Sequence, residues 1–121
     1  AQSSSSLFGA PLIINFWYST CEPCRREMPV LADAHEKYGS KISFLGLNMN
    51  DSASVAKEFA EKYNVKYEIA FDPSGSFISG LGIATAPTTL FVSKDGVVLD
   101  QVAGELTTEK LDALIAEWFP S

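Results

Sequence analysis

Two nearly unbroken apolar runs lie in the first half of the chain, at 12–17 and 42–49. Runs of this kind are typical of parallel strands that are buried on both faces. Between them apolar residues recur at helical spacing, with Lys37 in the last turn and Gly39 as a stop signal. The pattern therefore predicts a strand, a crossover helix and a second, parallel strand, a unit that is right-handed in nearly all known sheets.

The last third of the chain predicts a hairpin followed by a helix. Apolar runs at 88–93 and 97–102 flank the pair Asp95-Gly96, which is a strong signal for two antiparallel strands. Thr107 is a suitable N-cap for a final helix that ends at Pro120. One apolar stripe follows this helix through Leu111, Leu114, Ile115, Trp118 and Phe119.

The middle of the chain predicts a third helix over 52–63, in which Val55, Phe59 and Tyr63 recur every four positions. A short strand over 67–71 and a short helix over 74–81 are predicted to follow it. Taken with the other elements, this order predicts the α/β class, with a mixed central sheet and helices on both faces.

Length and charge limit what such a domain can do. The 121 residues fit one domain, which we place at 7–121 behind a serine-rich stub at 1–6. We expect the stub to be a disordered end, or the start of a mature segment after removal of a signal or anchor. A chain of this size needs no disulfide scaffold or structural metal, which leaves its two cysteines free for chemistry. A net charge of −6 argues against nucleic acid as a partner.

Those cysteines form the motif Cys21-Glu22-Pro23-Cys24 where the first strand gives way to the crossover helix. Residues three apart on a helix are close enough to form a disulfide with little distortion. Exposed backbone amides and the helix dipole stabilise a thiolate at this position. We therefore expect Cys21 to attack disulfides and Cys24, one turn further in, to resolve the mixed disulfide. Pro23 suits a first helical turn because it lacks an amide hydrogen.

Two other uses of the cysteines are considered. A purely structural disulfide over so short a loop removes little chain entropy. A structural zinc site needs four ligands, and the single histidine, His35, lies roughly 16 Å further along the same helix. We therefore expect no metal, and we interpret His35 as an ordinary helix residue.

Several motifs in order resemble the thioredoxin superfamily of thiol–disulfide oxidoreductases. They are Asn15-Phe16-Trp17, the Cys21–Cys24 motif, Pro29 within the helix and Ala86-Pro87-Thr88. The chain most resembles the TlpA/ResA branch of bacterial extracytoplasmic proteins. The features that carry this second resemblance are Asn15 in place of a buried aspartate, the Glu-Pro pair, the run from Arg25 to Pro29, and an extra helix and strand between Asp51 and Phe71.

The resemblance implies a thioredoxin-like fold in which the Ala86–Pro87 peptide bond is cis and lies opposite the cysteines. The backbone of Ala86 would then pair with an extended substrate segment. It also implies substrate contacts at Trp17, Thr20, Pro23, Ala86 and Pro87. Thr20 stands where most relatives have tryptophan, which implies a less apolar substrate face. Pro29 is expected to kink the helix, or alternatively to mark the point where a new helix starts.

The direction of electron flow depends on the charges near the sulfurs. Repulsion from the Glu22 carboxylate is expected to raise the Cys21 pKa and favour a reducing couple, while Arg25 and Arg26 extend into water. Alternatively, Glu22 only complements the helix dipole. Asn15 interrupts a buried strand and should find hydrogen-bond partners. Relatives with aspartate there use it for proton transfer, and in this chain that role would shift to Glu22.

The resulting hypothesis is an extracytoplasmic reductant of protein disulfides, with Cys21, Cys24 and Glu22 as the catalytic residues and no metal or organic cofactor. The branch implies re-reduction by a membrane thiol reductase of the CcdA/DsbD type. It also implies clients such as apocytochrome c or a methionine sulfoxide reductase. We expect a monomer. The alternatives are a disulfide-forming oxidase of the same fold and a non-catalytic peptide-binding module that uses the groove beside Pro87.

Overall fold

The computed structural model describes residues 9–49, 51–71, 82 and 85–120. Within these ranges the chain forms five strands and three helices. The strands are β1 (Leu12–Trp17), β2 (Ser43–Asn48), β3 (Glu68–Phe71), β4 (Thr88–Val92) and β5 (Val98–Ala103). The helices are α1 (Glu22–Tyr38), α2 (Ala53–Lys62) and α3 (Thr108–Trp118). The stub at 1–6 and the helix predicted over 74–81 lie outside the described residues.

The strands form one mixed sheet in the order β3-β2-β1-β4-β5. β1 pairs with β2 in parallel and with β4 in antiparallel fashion, so it lies at the centre of the sheet. β3 extends the sheet in parallel beyond β2, and β5 pairs with β4 as the predicted hairpin. The α/β class, the mixed sheet and the order of the elements are confirmed.

Side chains of β1 alternate between the two faces of the sheet, as strand geometry requires. Ile13 joins the core formed by α1 and α3, while Leu12, Ile14 and Phe16 join a separate core on the other face. All six β1 residues are buried, which confirms the prediction from its apolar run. In the part of the chain that the structure describes, no helix is long and apolar enough to cross a bilayer.

Helix α1 continues through Pro29, so the alternative in which a second helix starts there is wrong. The helix ends at Gly39, as predicted, but this glycine has an ordinary right-handed conformation with φ −64°. Its requirement is spatial: a Cβ atom at Gly39 would collide with the carbonyl oxygen of His35. Close approach to the last turn, rather than a positive φ, explains the glycine.

Helix α2 packs two residues of its predicted apolar stripe, Phe59 and Tyr63, against the cluster that holds the cysteines. Its buried residues are Ala56 and Ala60, whereas Val55 is 38% exposed. Ala56 packs in the same cluster as the two cysteines. Because alanine is small, it allows the helix to approach that cluster closely, and the bulkier Phe59 packs at the edge of the cluster.

Candidate functional site

The two cysteines lie at the start of α1, directly beyond the end of the central strand. Cys21 is the N-cap residue, and its sulfur accepts a hydrogen bond from the backbone N–H of Cys24 at 3.3 Å. The two residues are joined by a disulfide, with 5.2 Å between their Cα atoms. This geometry confirms that a pair in the first helical turn can close.

The two cysteines differ slightly in exposure. Cys21 keeps 5% of its surface exposed and Cys24 keeps 1%. Cys24 packs in one cluster with Trp17, Met28 and Ala56. Cys21 is therefore the slightly more exposed residue of a buried pair.

The loop before β4 closes the site from the opposite side. The Ala86–Pro87 peptide bond is cis, as the resemblance implied. The carbonyl oxygen of Ala86 lies 3.5 Å from the Cys21 sulfur, so the cis bond does lie opposite the cysteines. Pro87 is buried and Ala86 is half-buried, which leaves part of the Ala86 backbone near the surface.

The residues proposed to contact substrate divide into an outer and an inner group. Thr20 is exposed, and Pro23 and Ala86 are half-buried. Trp17, by contrast, is 2% exposed, and its contact with substrate stays a prediction. It lies on the α1 face of the sheet, where it packs under the cysteines. In this conformation Trp17 supports the site from below.

A buried carboxylate that sequence reasoning missed lies one helical turn beyond Cys24. Glu27 is 0% exposed, and its two oxygens accept hydrogen bonds from Asn15 Nδ2 and from the backbone N–H of Leu106, both at 2.7 Å. Burial raises the pKa of Glu27 to about 7. The bond confirms that Asn15 is a satisfied core amide. The sequence signal that could have revealed the burial of Glu27 is helical spacing, because position 27 falls on the same stripe of α1 as Cys24, Met28 and Leu31.

Glu22 lies in an environment that fits the alternative in which this carboxylate only complements the helix dipole. Its side chain is 72% exposed and pairs with Arg26 Nη1 at 2.6 Å. Arg26 Nε also contacts Glu105 at 2.9 Å, so this arginine bridges two carboxylates and does not extend freely into water. Exposure and pairing both weaken the repulsion between Glu22 and the sulfurs. Glu27, not Glu22, is therefore the carboxylate that the fold buries near the cysteines.

Replacing Glu22 with glutamine is accordingly expected to lower the Cys21 pKa by less than about half a unit, because the lost charge is exposed and already paired. The pH dependence of Cys21 alkylation by iodoacetamide measures this pKa. Glu36→Gln, an exposed change near the far end of α1, is the matched control. A shift of a full unit, or a shift upward, would contradict the expectation.

Comparison with known proteins shows which family this chain resembles. The sequence profile of the Redoxin family matches residues 1–115. A thiol-disulfide oxidoreductase ResA of Bacillus thuringiensis subsp. konkukian is 31% identical over 113 residues, which cover 93% of this chain and 65% of that protein. The chain thus spans about two thirds of the length of this relative.

Solved structures show the same fold. A secreted Mycobacterium tuberculosis disulfide oxidoreductase superposes with a TM-score of 0.86 at 22% identity, over 96% of this chain and 87% of that one. A DsbE-like thiol:disulfide interchange protein from Chlorobium tepidum gives 0.84 at 27% identity, over 93% and 82%. These matches confirm the thioredoxin-like fold, and the ResA relative confirms the resemblance to the TlpA/ResA branch. On its sequence profile, its fold and its cysteine pair, the chain belongs to the Redoxin family.

Proposed function

We propose that this protein is a thiol–disulfide oxidoreductase that reduces disulfides in extracytoplasmic proteins. The observation that carries the proposal is the Cys21–Cys24 disulfide at the N-terminus of α1, with the Cys21 sulfur against the Ala86 carbonyl beside a cis proline. Peptide-bond dipoles and free N–H groups at a helix N-terminus favour a thiolate, which is the attacking species.

The exchange proceeds in two displacements. The Cys21 thiolate attacks one sulfur of the client disulfide; that S–S bond breaks, and the departing client sulfur leaves as a thiolate and takes up a proton. Cys24 then loses its proton and attacks the Cys21 sulfur, which releases the second client thiol and forms the Cys21–Cys24 bond. The protein dithiol gives up two electrons and the client disulfide gains them, so the exchange needs no metal or organic cofactor.

Two groups around the sulfurs support this sequence of steps. The N–H of Cys24 points at the Cys21 sulfur and stabilises negative charge there. Glu27 has a pKa of about 7 and lies one turn beyond Cys24, which suits it to accept the Cys24 proton during the second displacement. This assigns to Glu27 the proton-transfer role that was expected for Glu22.

The half-buried backbone of Ala86 supports docking of an extended client segment in the manner of strand addition. Thr20 and Pro23 flank this position on the cysteine side and would contact the same segment. Pro87, buried behind the Cys21 sulfur, would shape the floor of that contact.

The buried carboxylate also favours a reducing couple. An ionised Glu27 near Cys24 disfavours a second negative charge on sulfur, which raises the thiol pKa and stabilises the disulfide relative to the dithiol. We expect a reduction potential nearer to that of thioredoxin, about −270 mV, than to that of DsbA, about −120 mV. Equilibration with glutathione measures it, and a value near −120 mV would favour the oxidase alternative.

The wider setting rests on the relatives. One relative is described as a ResA thiol-disulfide oxidoreductase and one structural neighbour as a secreted disulfide oxidoreductase. We accordingly place the protein outside the cytoplasm, as a monomer re-reduced by a membrane thiol reductase of the CcdA/DsbD type. Clients would be apocytochrome c, a methionine sulfoxide reductase or other oxidised proteins, and the net charge of −6 argues against nucleic acid as a partner.

Insulin reduction in the presence of dithiothreitol tests the activity. The wild-type chain is expected to accelerate precipitation of the insulin B chain, whereas Cys21→Ser is expected to match the rate with dithiothreitol alone. A wild-type rate equal to that background would overturn the proposal and favour the non-catalytic binding module.

A further inference from the structure

The segment that leads into Cys21 is held by a carboxylate from a distant part of the chain. Asp51 follows β2 and accepts two hydrogen bonds from Ser19, one from its backbone N–H and one from its hydroxyl, both at 2.6 Å. Ser19 is buried and lies two residues before Cys21. A single carboxylate therefore binds both hydrogen-bond donors of Ser19, the residue that begins the turn into the disulfide.

The carboxylate is itself fixed in place. Asn48, the last residue of β2, donates from Nδ2 to Asp51 Oδ2 at 2.9 Å, and its Oδ1 accepts from the Asp51 backbone N–H at 2.7 Å. Asn48 is buried and lies opposite Trp17 in the parallel ladder between β1 and β2. The hydrogen bonds to Ser19 are thus anchored to the end of β2, the strand next to the central one.

The turn between Ser19 and the start of α1 is short, and backbone hydrogen bonds restrain it at both ends. The backbone N–H of Cys21 donates to the Tyr18 carbonyl at 3.2 Å, and the N–H of Arg25 donates to the Cys21 carbonyl at 3.1 Å. Thr20, which lies between Ser19 and Cys21, is exposed. With Ser19 fixed, Cys21 has little freedom left, so its sulfur stays close to that of Cys24 when the disulfide opens.

We propose that Asp51 is a positioning residue that holds the Ser19–Cys21 segment so that the open dithiol keeps its disulfide-forming geometry. Asp51 belongs to the stretch in which the extra helix and strand lie, and Ala56 of α2 packs in the same cluster as the cysteines. The added elements therefore act on the reacting pair. The inference rests on the proposed thiol–disulfide chemistry of Cys21 and Cys24.

The measurable quantity is the equilibrium between the protein dithiol plus oxidised glutathione and the protein disulfide plus two reduced glutathiones. In Asp51→Ala, closing the disulfide must also order the freed segment, a cost comparable to fixing the backbone of about one residue. The equilibrium constant is expected to fall about tenfold, which corresponds to a potential about 30 mV less reducing.

Asp51→Asn separates position from charge. Its amide oxygen can still accept from the Ser19 N–H and from Asn48, and its amide nitrogen can donate to the Ser19 hydroxyl, which then reverses its role. We expect this variant to stay within about threefold of the wild-type equilibrium constant. Asp33→Ala, an exposed change on α1, is the matched control and should leave the constant unchanged.

An equilibrium constant for Asp51→Ala within threefold of wild type would overturn the proposal, and so would an Asp51→Asn effect as large as that of alanine. If Asp51→Ala does not fold, Ser19→Ala carries the test. It removes the hydroxyl bond alone and should lower the constant about threefold, and an unchanged constant would overturn the proposal. This test uses glutathione in place of a client protein. A chain that fails to reduce insulin can therefore still show the expected equilibrium constants, so failure of the proposed function and failure of this inference are distinguishable.

Discussion

Replacing Cys24 with serine is expected to stop the reaction at the mixed disulfide, so that client proteins remain covalently attached to Cys21. A hydroxyl cannot displace the client thiol as a thiolate does, and release then depends on an external thiol. Because the resolving thiol is held next to its target, its loss should lower turnover by on the order of 10³-fold. Non-reducing gels and mass spectrometry of the complexes formed with extracytoplasmic extracts measure the trapping.

The double variant Cys21→Ser/Cys24→Ser is the control for trapping, since it retains the docking surface and lacks both thiols. It should carry no client through a reducible bond. Trapping through Cys24 in a Cys21→Ser variant at the same yield would contradict the assignment of Cys21 as the attacking residue. Absence of any trapped client would favour the binding-module alternative.

Replacing Glu27 with glutamine is expected to remove a pH dependence of stability. The pKa of Glu27 is raised to about 7 in the folded protein from an ordinary value of 4.5, so the folded state binds its proton more tightly than the unfolded state. Stability from this group is therefore present at low pH and is lost as the pH rises from about 4.5 through 7. A shift of this size corresponds to about 3 kcal/mol of unfolding free energy.

Urea denaturation of the oxidised protein at pH 5 and pH 8 measures this effect. The wild type should lose about 2.5 kcal/mol more than Glu27→Gln between the two pH values, since a small part of the effect is already lost at pH 5. The glutamine oxygen can accept from Leu106, and its amide nitrogen can donate to Asn15 after that amide reverses, so the packing is retained. Equal pH slopes in the two proteins would contradict the pKa assigned to Glu27.

The same variant tests the proposed transfer of the Cys24 proton. Without the carboxylate, the second displacement should slow by about 10²-fold near pH 7, a typical contribution of a general base. Release of glutathione from a mixed disulfide on Cys21 measures that step. Glu36→Gln, which changes an exposed carboxylate of the same helix, should leave both the rate and the pH slope of stability unchanged.

Local patterns predicted most of the fold because local physics determines those elements. The apolar run of β1 was predicted to be buried on both faces, and it is. Thr107 was predicted to cap the last helix, and its hydroxyl accepts from the Lys110 N–H at 3.2 Å. Gly96 in the Asp-Gly turn has a φ of 90°, the conformation for which glycine is selected in such hairpins.

The parts of the site that were missed depend on partners far apart in sequence. Helical spacing places Glu27 on the buried stripe of α1, but the sequence does not show that the N–H of Leu106, 79 positions later, donates to its carboxylate. From the sequence alone, Asp51 is an ordinary acidic residue of a loop. Its role depends on the fold, which brings the hydroxyl of Ser19, 32 positions earlier, into hydrogen-bond contact with it. Glu22 was predicted to act on the cysteines, but its neutralisation requires Arg26 to adopt one of several rotamers. Such contacts are consequences of tertiary packing, and periodicity does not encode them.

The central place of β1 in the sheet has a consequence for repeated use of the protein. This strand has hydrogen-bonded neighbours on both sides and is buried along its whole length, so it belongs to the part of a fold that opens last in native-state fluctuations. The chain passes from it to Cys21 in four residues. Successive cycles of reduction and oxidation can therefore take place without unfolding of the central strand. Proteolytic cleavage would begin elsewhere, at the outer strands.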